Sequence, residues 1–386
     1  MADHTTVLIV GAGPAGLVLG NLLRAEGIDT LVVERASREQ VQTRARAGFL
    51  GPNSVRVLTE HGLAGGLLHK GRSHGVCAFR GEDGEFELNY AELGRGDVHT
   101  VYPQQDLVTD LIAEYLNRGG DIRFGVTVTG VDPANGHVET TEGVVGGRFL
   151  AGCDGGNGVT RAAVPAAPER RHGRDHGITW LALLAEAPQS MAAVTYALHE
   201  DGFAGHMARG PEVTRYYLQV PPGDDAGAWT DDRVWAALAT RMRTDEFGPL
   251  RQGPIIERRL VRLRSEVVDP IQHDRLFLVG DAASLISPSA AKGANLAIME
   301  AELLARALVN AITRDDERAL SDYTRSCLPR IWRAQEFSHW MIDLLHGPAH
   351  PASDAGFQHA LRRARLDSLR RSQAHQNFFA EHYVGI

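Results

Sequence analysis

Residues Val7–Glu34, VLIVGAGPAGLVLGNLLRAEGIDTLVVE, constrain the fold more than any other stretch of the chain. An apolar run, Val7–Val10, meets Gly11, Gly13 and Gly16 in G-x-G-x-x-G spacing. A helix-periodic segment follows to about Glu26, and a second apolar run ends on an acid, Glu34, 18 residues past Gly16. Gly11 permits a tight strand-to-helix turn, Gly13 lets a pyrophosphate approach the backbone, and Gly16 lets helix and strand pack closely. The helix start offers free N–H groups and partial positive charge to phosphates, and Glu34 stands where a carboxylate accepts from ribose hydroxyls. Glycines alone mark ordinary turns. Strand, glycines, helix, strand and acid in this order mark a dinucleotide site, without saying which dinucleotide.

A net charge of −8 argues against a nucleic-acid partner, because phosphate binding wants a basic surface. Cys77, Cys153 and Cys327 lack C-x-x-C spacing, so neither a disulfide framework nor a cysteine metal site is expected, and a reducing cytoplasm fits. His172 and His176 lie in a Gly- and Arg-rich segment without helical periodicity, so no metal is expected there either. No apolar run is long enough for a bilayer, and no signal peptide is expected before the first strand.

Beyond Glu34, the polar stretch from Arg35 to Gly48 lacks an apolar face and reads as an exposed or ligand-facing loop. A helix is expected from Pro52, short antiparallel strands over 74–93, a helix from Tyr102 to Gly119, and strands at 122–131 and 144–150. Residues 178–264 change texture to β-type runs with an inserted helix near 231–243. A core strand returns at Leu276–Val279, followed by Gly280-Asp281 and a helix opened by Lys292, Gly293 and Asn295. A carboxylate at that strand tip can accept from a sugar or ribityl hydroxyl, while the helix-start N–H groups can hold a pyrophosphate or a carbonyl oxygen. The remainder is helical, with an aromatic stripe at Trp332, Phe337 and Trp340 that reads as core or a dimer contact.

GAGPAG at 11–16, CDG at 153–155 and GDAAS…AKGAN over 280–295 together resemble the FAD-dependent aromatic hydroxylases, flavoprotein monooxygenases with one nucleotide domain. The likeness runs from Val7 to Gly385 and includes RARAG at 44–48, YPQQDLVTDL from Tyr102, RYYLQVP from Arg215 and the C-terminal HYVGI. It implies an α/β fold in which a Rossmann-like FAD-binding domain is interleaved with a β-sheet substrate domain, plus a helical C-terminal region. The expected boundaries are 1–72, 99–175 and 267–315 for the FAD-binding parts, 73–98 and 176–266 for the substrate parts, and 316–386 for the helical region.

The resemblance also implies chemistry: NAD(P)H reduces FAD, and O₂ supplies the oxygen placed ortho to the hydroxyl of a phenolic benzoate, of the 4-hydroxybenzoate to 3,4-dihydroxybenzoate type. Tyr196, Tyr383 and His74 match the family's proton-relay positions, and Pro288 a backbone carbonyl near the substrate hydroxyl. Arg209, Tyr217 and Arg215 match positions that hold the substrate carboxylate or border the flavin. Met207 stands where the family has a serine, and Ser284 and Ser287 depart from its pattern. An amino- or hydroxy-substituted 4-hydroxybenzoate therefore stays open as the substrate, as does an FAD-dependent reductase on the same scaffold, or a non-catalytic FAD-binding module. FAD contacts are implied at Gly11, Gly13, Gly16, Glu34, Arg35, Arg44, Arg46, Gln104, Asp154, Asp281, Lys292, Gly293 and Asn295. Arg38, Arg161 and Arg264 are implied for the nicotinamide cofactor, NADPH or NADH. A homodimer in the cytoplasm completes the expectation.

Overall fold

The computed structural model describes residues 3–44, 48–165, 168–346 and 355–385. Parallel strands Leu276–Leu278, Gly143–Gly152, Asp3–Val10, Thr30–Glu34 and Asp121–Phe124 lie side by side in that order, and the ribbon Val128–Asp132 and His137–Thr140 extends from Gly143–Gly152. Val7, Leu8 and Ile9 are fully buried, as a parallel strand covered on both faces requires. Helix Pro14–Ala25 packs on Gly293–Thr313 and Gln104–Asn117. Register brings the strand ends together: Val10 pairs with Val33 on one side and Gly152 on the other. The Gly11 N–H donates to Val33 O at 2.8 Å, and the Cys153 N–H to Val10 O at 2.8 Å. A ligand cleft forms where such carboxyl ends converge.

A second, largely antiparallel sheet covers this cleft. Its order is Ser284–Leu285, Ile255–Val268, Arg171–Ala185, Thr214–Val220, Ala204–Ala208, Val194–Ala197, Val76–Gly81 and Gly84–Asn89. Side chains alternate between its faces. Leu181, Leu183, Tyr216 and Leu218 pack against Val234, Trp235 and Leu238 of helix Asp231–Arg241. Trp180, Tyr196, Met207 and Tyr217 face the other way, into a core shared with Phe337, Phe379 and Tyr383. The last two aromatics belong to helix Gln373–Val384, so the chain's end returns to the cleft.

Four local features refine the expectation. The stretch after Glu34 contains the helix Arg38–Thr43, started by a reciprocal capping box between Ser37 and Gln40, a polar signal that an apolar-face criterion misses. Tyr90–Leu93 is a helical turn capped by Asn89. The aromatic stripe divides: Phe337 is buried and stacks with Trp340 at 5.7 Å, whereas Trp332 is 42% exposed. The strand Arg171–Ala185 is continuous across position 175.

Candidate active site

The nucleotide end of the cleft is built largely from backbone. Gly11 has φ +110°, and a Cβ there would lie 2.4 Å from Cys153 O. A Cβ on Gly16 would lie 2.1 Å from Gly11 O, so strand and helix pack only through hydrogen at this point. Around Gly13 nothing stands within 4 Å of an added Cβ, which leaves open space for a phosphate group at the helix start. Glu34 receives the Ala12 N–H on one oxygen and the Ala36 N–H on the other, both at 2.8 Å. These bonds fix the carboxylate at the strand tip and leave each oxygen a further acceptor position for a ribose hydroxyl. Arg35, Arg44 and Gln104 line the same cavity of about 630 Å³. Arg46 lies outside the described residues.

A second cavity of about 420 Å³ shares Gly13, Pro14, Gln104, Cys153 and Gly155 with the first, so one extended molecule can run through both. Asp281, Pro288, Gly293 and Ala294 line it from the nucleotide side. A dinucleotide therefore fits: an open phosphate cradle, an acid at each strand tip, and a helix start facing the continuation.

Three residues expected at the cofactor turn their side chains to protein partners, which leaves their backbone groups for a ligand. Asp154 accepts from Thr160 N at 3.0 Å and from the Thr160 hydroxyl, so its carboxylate shapes the 154–160 loop beside the cavity. Asn295 accepts from Gly51 N and Ser54 Oγ, both at 2.7 Å, and donates to Phe49 and Ala291 carbonyls; its amide is fully used as a clamp. Lys292 is buried and donates to the carbonyls of Tyr383 and Gly385 at 2.8 Å each. Burial pushes this ammonium down to about 7. Behind Gly280-Asp281, buried Glu300 accepts the Gly280 N–H at 2.6 Å, and burial pushes its carboxyl up to about 8.

The covering sheet contributes the side chains. Pairing register sets Tyr196, Gly205, Tyr217, Ala182 and Arg259 in one row across five strands, on one face. The next row is Met207, Arg215, Leu184 and Glu257, with Arg215 Nη2 3.2 Å from Glu257 Oε2. Arg215 is 3% exposed and lines the cavity, and its Nε has no hydrogen-bond partner among the described residues. Met207 also lines the cavity, a thioether where a hydroxyl was the family expectation. Arg209 follows Met207 on the same face, in the turn where its N–H donates to Val213 O at 2.9 Å. It is buried and lies beyond the cavity lining; burial lowers its guanidinium to about 10, still charged at neutral pH.

Tyr196 and Tyr383 come from residues 187 apart in sequence, and their hydroxyls meet at 2.7 Å. Burial raises both phenols above their usual range. Both stay neutral, and a neutral hydroxyl can donate and accept at once. His74 stands behind Tyr90, whose ring centroid lies 5.0 Å from that of Tyr383. Its Nε2 accepts the Val194 N–H at 3.1 Å and its Nδ1 lies 3.2 Å from Tyr90 Oη. Tyr90 in turn donates to the His74 carbonyl, and His99 Nδ1 approaches the same phenol at 3.3 Å. Desolvation lowers His74 to about 4, so its imidazole is neutral near neutral pH, with one nitrogen able to donate and the other to accept.

Residues that sequence reasoning missed are the aromatic walls, Trp180 and Phe203. The Trp180 indole donates to His346 Nε2 at 3.2 Å, and His346 Nδ1 lies 2.9 Å from Gln219 Oε1, which also accepts the Phe203 N–H. Their period-2 spacing was legible, but which face meets the ligand was not. Of the arginines expected at the nicotinamide, Arg161 and Arg264 share Glu266, at 2.9 and 3.4 Å, in a surface cleft beside the main cavity. Arg38 lies on an exposed helix and lines neither.

The chain matches the FAD binding domain family over residues 4–338. It is 35% identical to p-hydroxybenzoate hydroxylase of Acinetobacter baylyi across 99% of this chain and 95% of that one. A rifampicin monooxygenase of Rhodococcus hoagii is 28% identical over 76% of this chain, which spans 62% of that longer relative. Among solved structures, p-nitrophenol 4-monooxygenase of Pseudomonas putida superposes with a TM-score of 0.81 over 100% of this chain and 99% of its own, at 17% identity, a likeness of fold alone.

Proposed function

We propose that this chain, which belongs to the FAD binding domain family and is a flavin-dependent aromatic monooxygenase, hydroxylates a phenolic benzoate ortho to its hydroxyl. The observation that carries this reading is the pairing of two ends in one cavity. A buried hydroxyl pair, Tyr196–Tyr383, stands at one end of a sheet row, and Arg215 and Tyr217 stand two strands along. That separation is about 10 Å between backbones, which suits a ring with a hydroxyl and a carboxylate at opposite positions.

FAD, held by the Gly11–Gly16 turn, Glu34, Arg44, Gln104, Asp281 and the start of the helix at Gly293, supplies when bound the reduction by NAD(P)H and the O₂ activation that place oxygen on the ring. Tyr196 accepts the substrate phenol's proton as it donates its own to Tyr383, which releases its own in turn by way of Tyr90 and His74 to solvent, so the ring gains electron density where oxygen is to enter. The Pro288 carbonyl, already accepting from Ala291 N at 3.0 Å, has a second lone pair for the substrate hydroxyl. Arg215 grips the carboxylate, and Arg209 adds positive charge from behind the lining; a guanidinium fixes direction as well as affinity. Trp180 and Phe203 wall the ring and exclude water.

Met207 supports a second reading, in which the ring carries an amino or further hydroxyl group, because one hydroxyl donor to the carboxylate is missing. Arg161 and Arg264 support NADPH, whose 2′-phosphate they can pair. A cytoplasmic homodimer with Trp332 at its contact belongs to the same reading, and size measurement in solution tests it. The test of function is a panel of hydroxylated and aminated benzoates, reading stimulation of NAD(P)H oxidation with mass spectrometry of products. A phenolic benzoate gaining one oxygen atom is expected. NAD(P)H oxidation without oxygen on any aromatic acid would favour a reductase instead.

A further inference from the structure

The sheet over the cavity carries a track that the reading above leaves unused. Ala182 pairs with Tyr217 on one side and with Arg259 on the other, so all three share the cavity face. Arg259 thus stands two strands beyond Tyr217, about 10 Å away between backbones. Ala182 offers only a methyl group between them, while Trp180 and Leu184, two residues to either side, are large. The result is a low lane over Ala182 with walls, leading from the carboxylate end of the proposed substrate site to Arg259.

Arg259 ends this lane without a hydrogen bond or ion pair among the described residues. Its neighbours are committed: Arg258 to Asp231, Arg262 to Asp175 at 2.6 Å, Arg264 to Glu266 at 3.4 Å and Arg215 to Glu257 at 3.2 Å. The charged cavity lining is Arg215, Arg259, Arg262 and Arg264 against Asp281, a positive rim on a chain whose net charge is −8. Charged residues on an open edge strand block pairing with other chains; Arg259 is solvent-exposed on such a strand, and it also lines the mouth of the cavity with Val261.

We infer that Arg259 is a second anion-reading residue and that the preferred substrate is a phenolic aromatic acid extended beyond its carbonyl by an arm ending in a carboxylate. This inference rests on the phenol being seated at Tyr196. With the ring there and the carbonyl beside Tyr217, the arm runs over Ala182 and its carboxylate meets a guanidinium that has no competing partner.

The test is equilibrium binding of 4-hydroxybenzoate and 4-hydroxybenzoylglycine to the FAD-loaded protein, read from the flavin absorbance. The wild type should bind the extended acid at least as tightly. Arg259→Ala should weaken the extended acid by about ten- to a hundredfold relative to 4-hydroxybenzoate, and Arg259→Lys by less. An unchanged ratio of the two dissociation constants overturns the inference. So does an effect confined to the KM for NAD(P)H, since Arg259 would then read the co-substrate's phosphates. If neither acid perturbs the wild-type flavin, the phenolic-acid reading falls first and this one with it.

Discussion

The two halves of the cleft recognise their ligands by different means. On the nucleotide side, the proposed contacts come from glycines, helix starts and the strand-tip acids Glu34 and Asp281, all within short stretches of chain. On the covering sheet, they come from side chains that strand register carries to a common face from residues 180 to 261, joined by Tyr383 from the last helix. A backbone site fails by filling space; a side-chain site fails by losing one group while the fold survives. Substitutions on the two sides should therefore differ in kind as well as in size.

The largest effect is expected at Gly16. A Cβ 2.1 Å from Gly11 O forces strand and helix apart, so Gly16→Val should yield colourless protein with no retained FAD and a lower Tm. Gly13→Ala, by contrast, meets no protein atom within 4 Å, and should lower FAD affinity while leaving apoprotein Tm nearly unchanged. If the two variants behaved alike, the division between packing and ligand approach at the glycines would be wrong.

On the other side, Tyr383→Phe should keep FAD and substrate binding yet cut hydroxylation by about a hundredfold or more, the usual scale for losing a proton-transfer group. Product formed per NAD(P)H consumed is the measurement. Arg215→Ala should raise the substrate KM by about ten- to a hundredfold with a smaller change in kcat. Met207→Ser restores a donor beside the carboxylate and should tighten 4-hydroxybenzoate by roughly tenfold if that acid is the substrate. No tightening would favour a substituted ring.

The smallest effect joins the halves. Lys292 ties the helix start at Gly293 to the carbonyls around Tyr383. Its folded value, about 7, is below its ordinary 10.5, so the stability it contributes is present at high pH and is lost as pH falls through 7. Glu300, raised from 4.5 to about 8, acts oppositely: its contribution is full at low pH and lost as pH rises through 8. Tm of Lys292→Met should therefore lose the rise with pH from 7 toward 10, whereas Glu300→Gln should lose the fall between 4.5 and 8. Scanning Tm against pH checks both.

This contrast also explains what the sequence could tell. The nucleotide turn was readable because Val7–Glu34 holds strand, turn, helix and acid in consecutive order. Asp154 lines the nucleotide cavity and Asn295 stands in the helix that begins beside it, but side-chain aim is set by Gly51, Ser54 and Thr160, which no local pattern announces. Tyr196 and Tyr383 were named through family likeness; their 2.7 Å contact depends on the last helix folding back across the whole molecule. His74 shows the limit most clearly. Its position matches a relay by family likeness, while its proton affinity is lowered by burial beside Tyr90, Val194 and His99, and solvation is a property of the assembled core. Arg259 was passed over because a charged residue on a strand reads as a solvated edge until register shows which face it joins.

In the proposed reading, the Tyr196–Tyr383 pair takes the phenol's proton at one end of a cavity whose other end holds the carboxylate. The most direct measurement is the absorption spectrum of a bound phenolic acid, titrated in FAD-loaded wild type and in Tyr196→Phe. In the wild type the phenolate band should appear at lower pH than for the free acid, and in Tyr196→Phe it should shift back upward with the dissociation constant little changed. A phenolate band that titrates identically in the two proteins would contradict it.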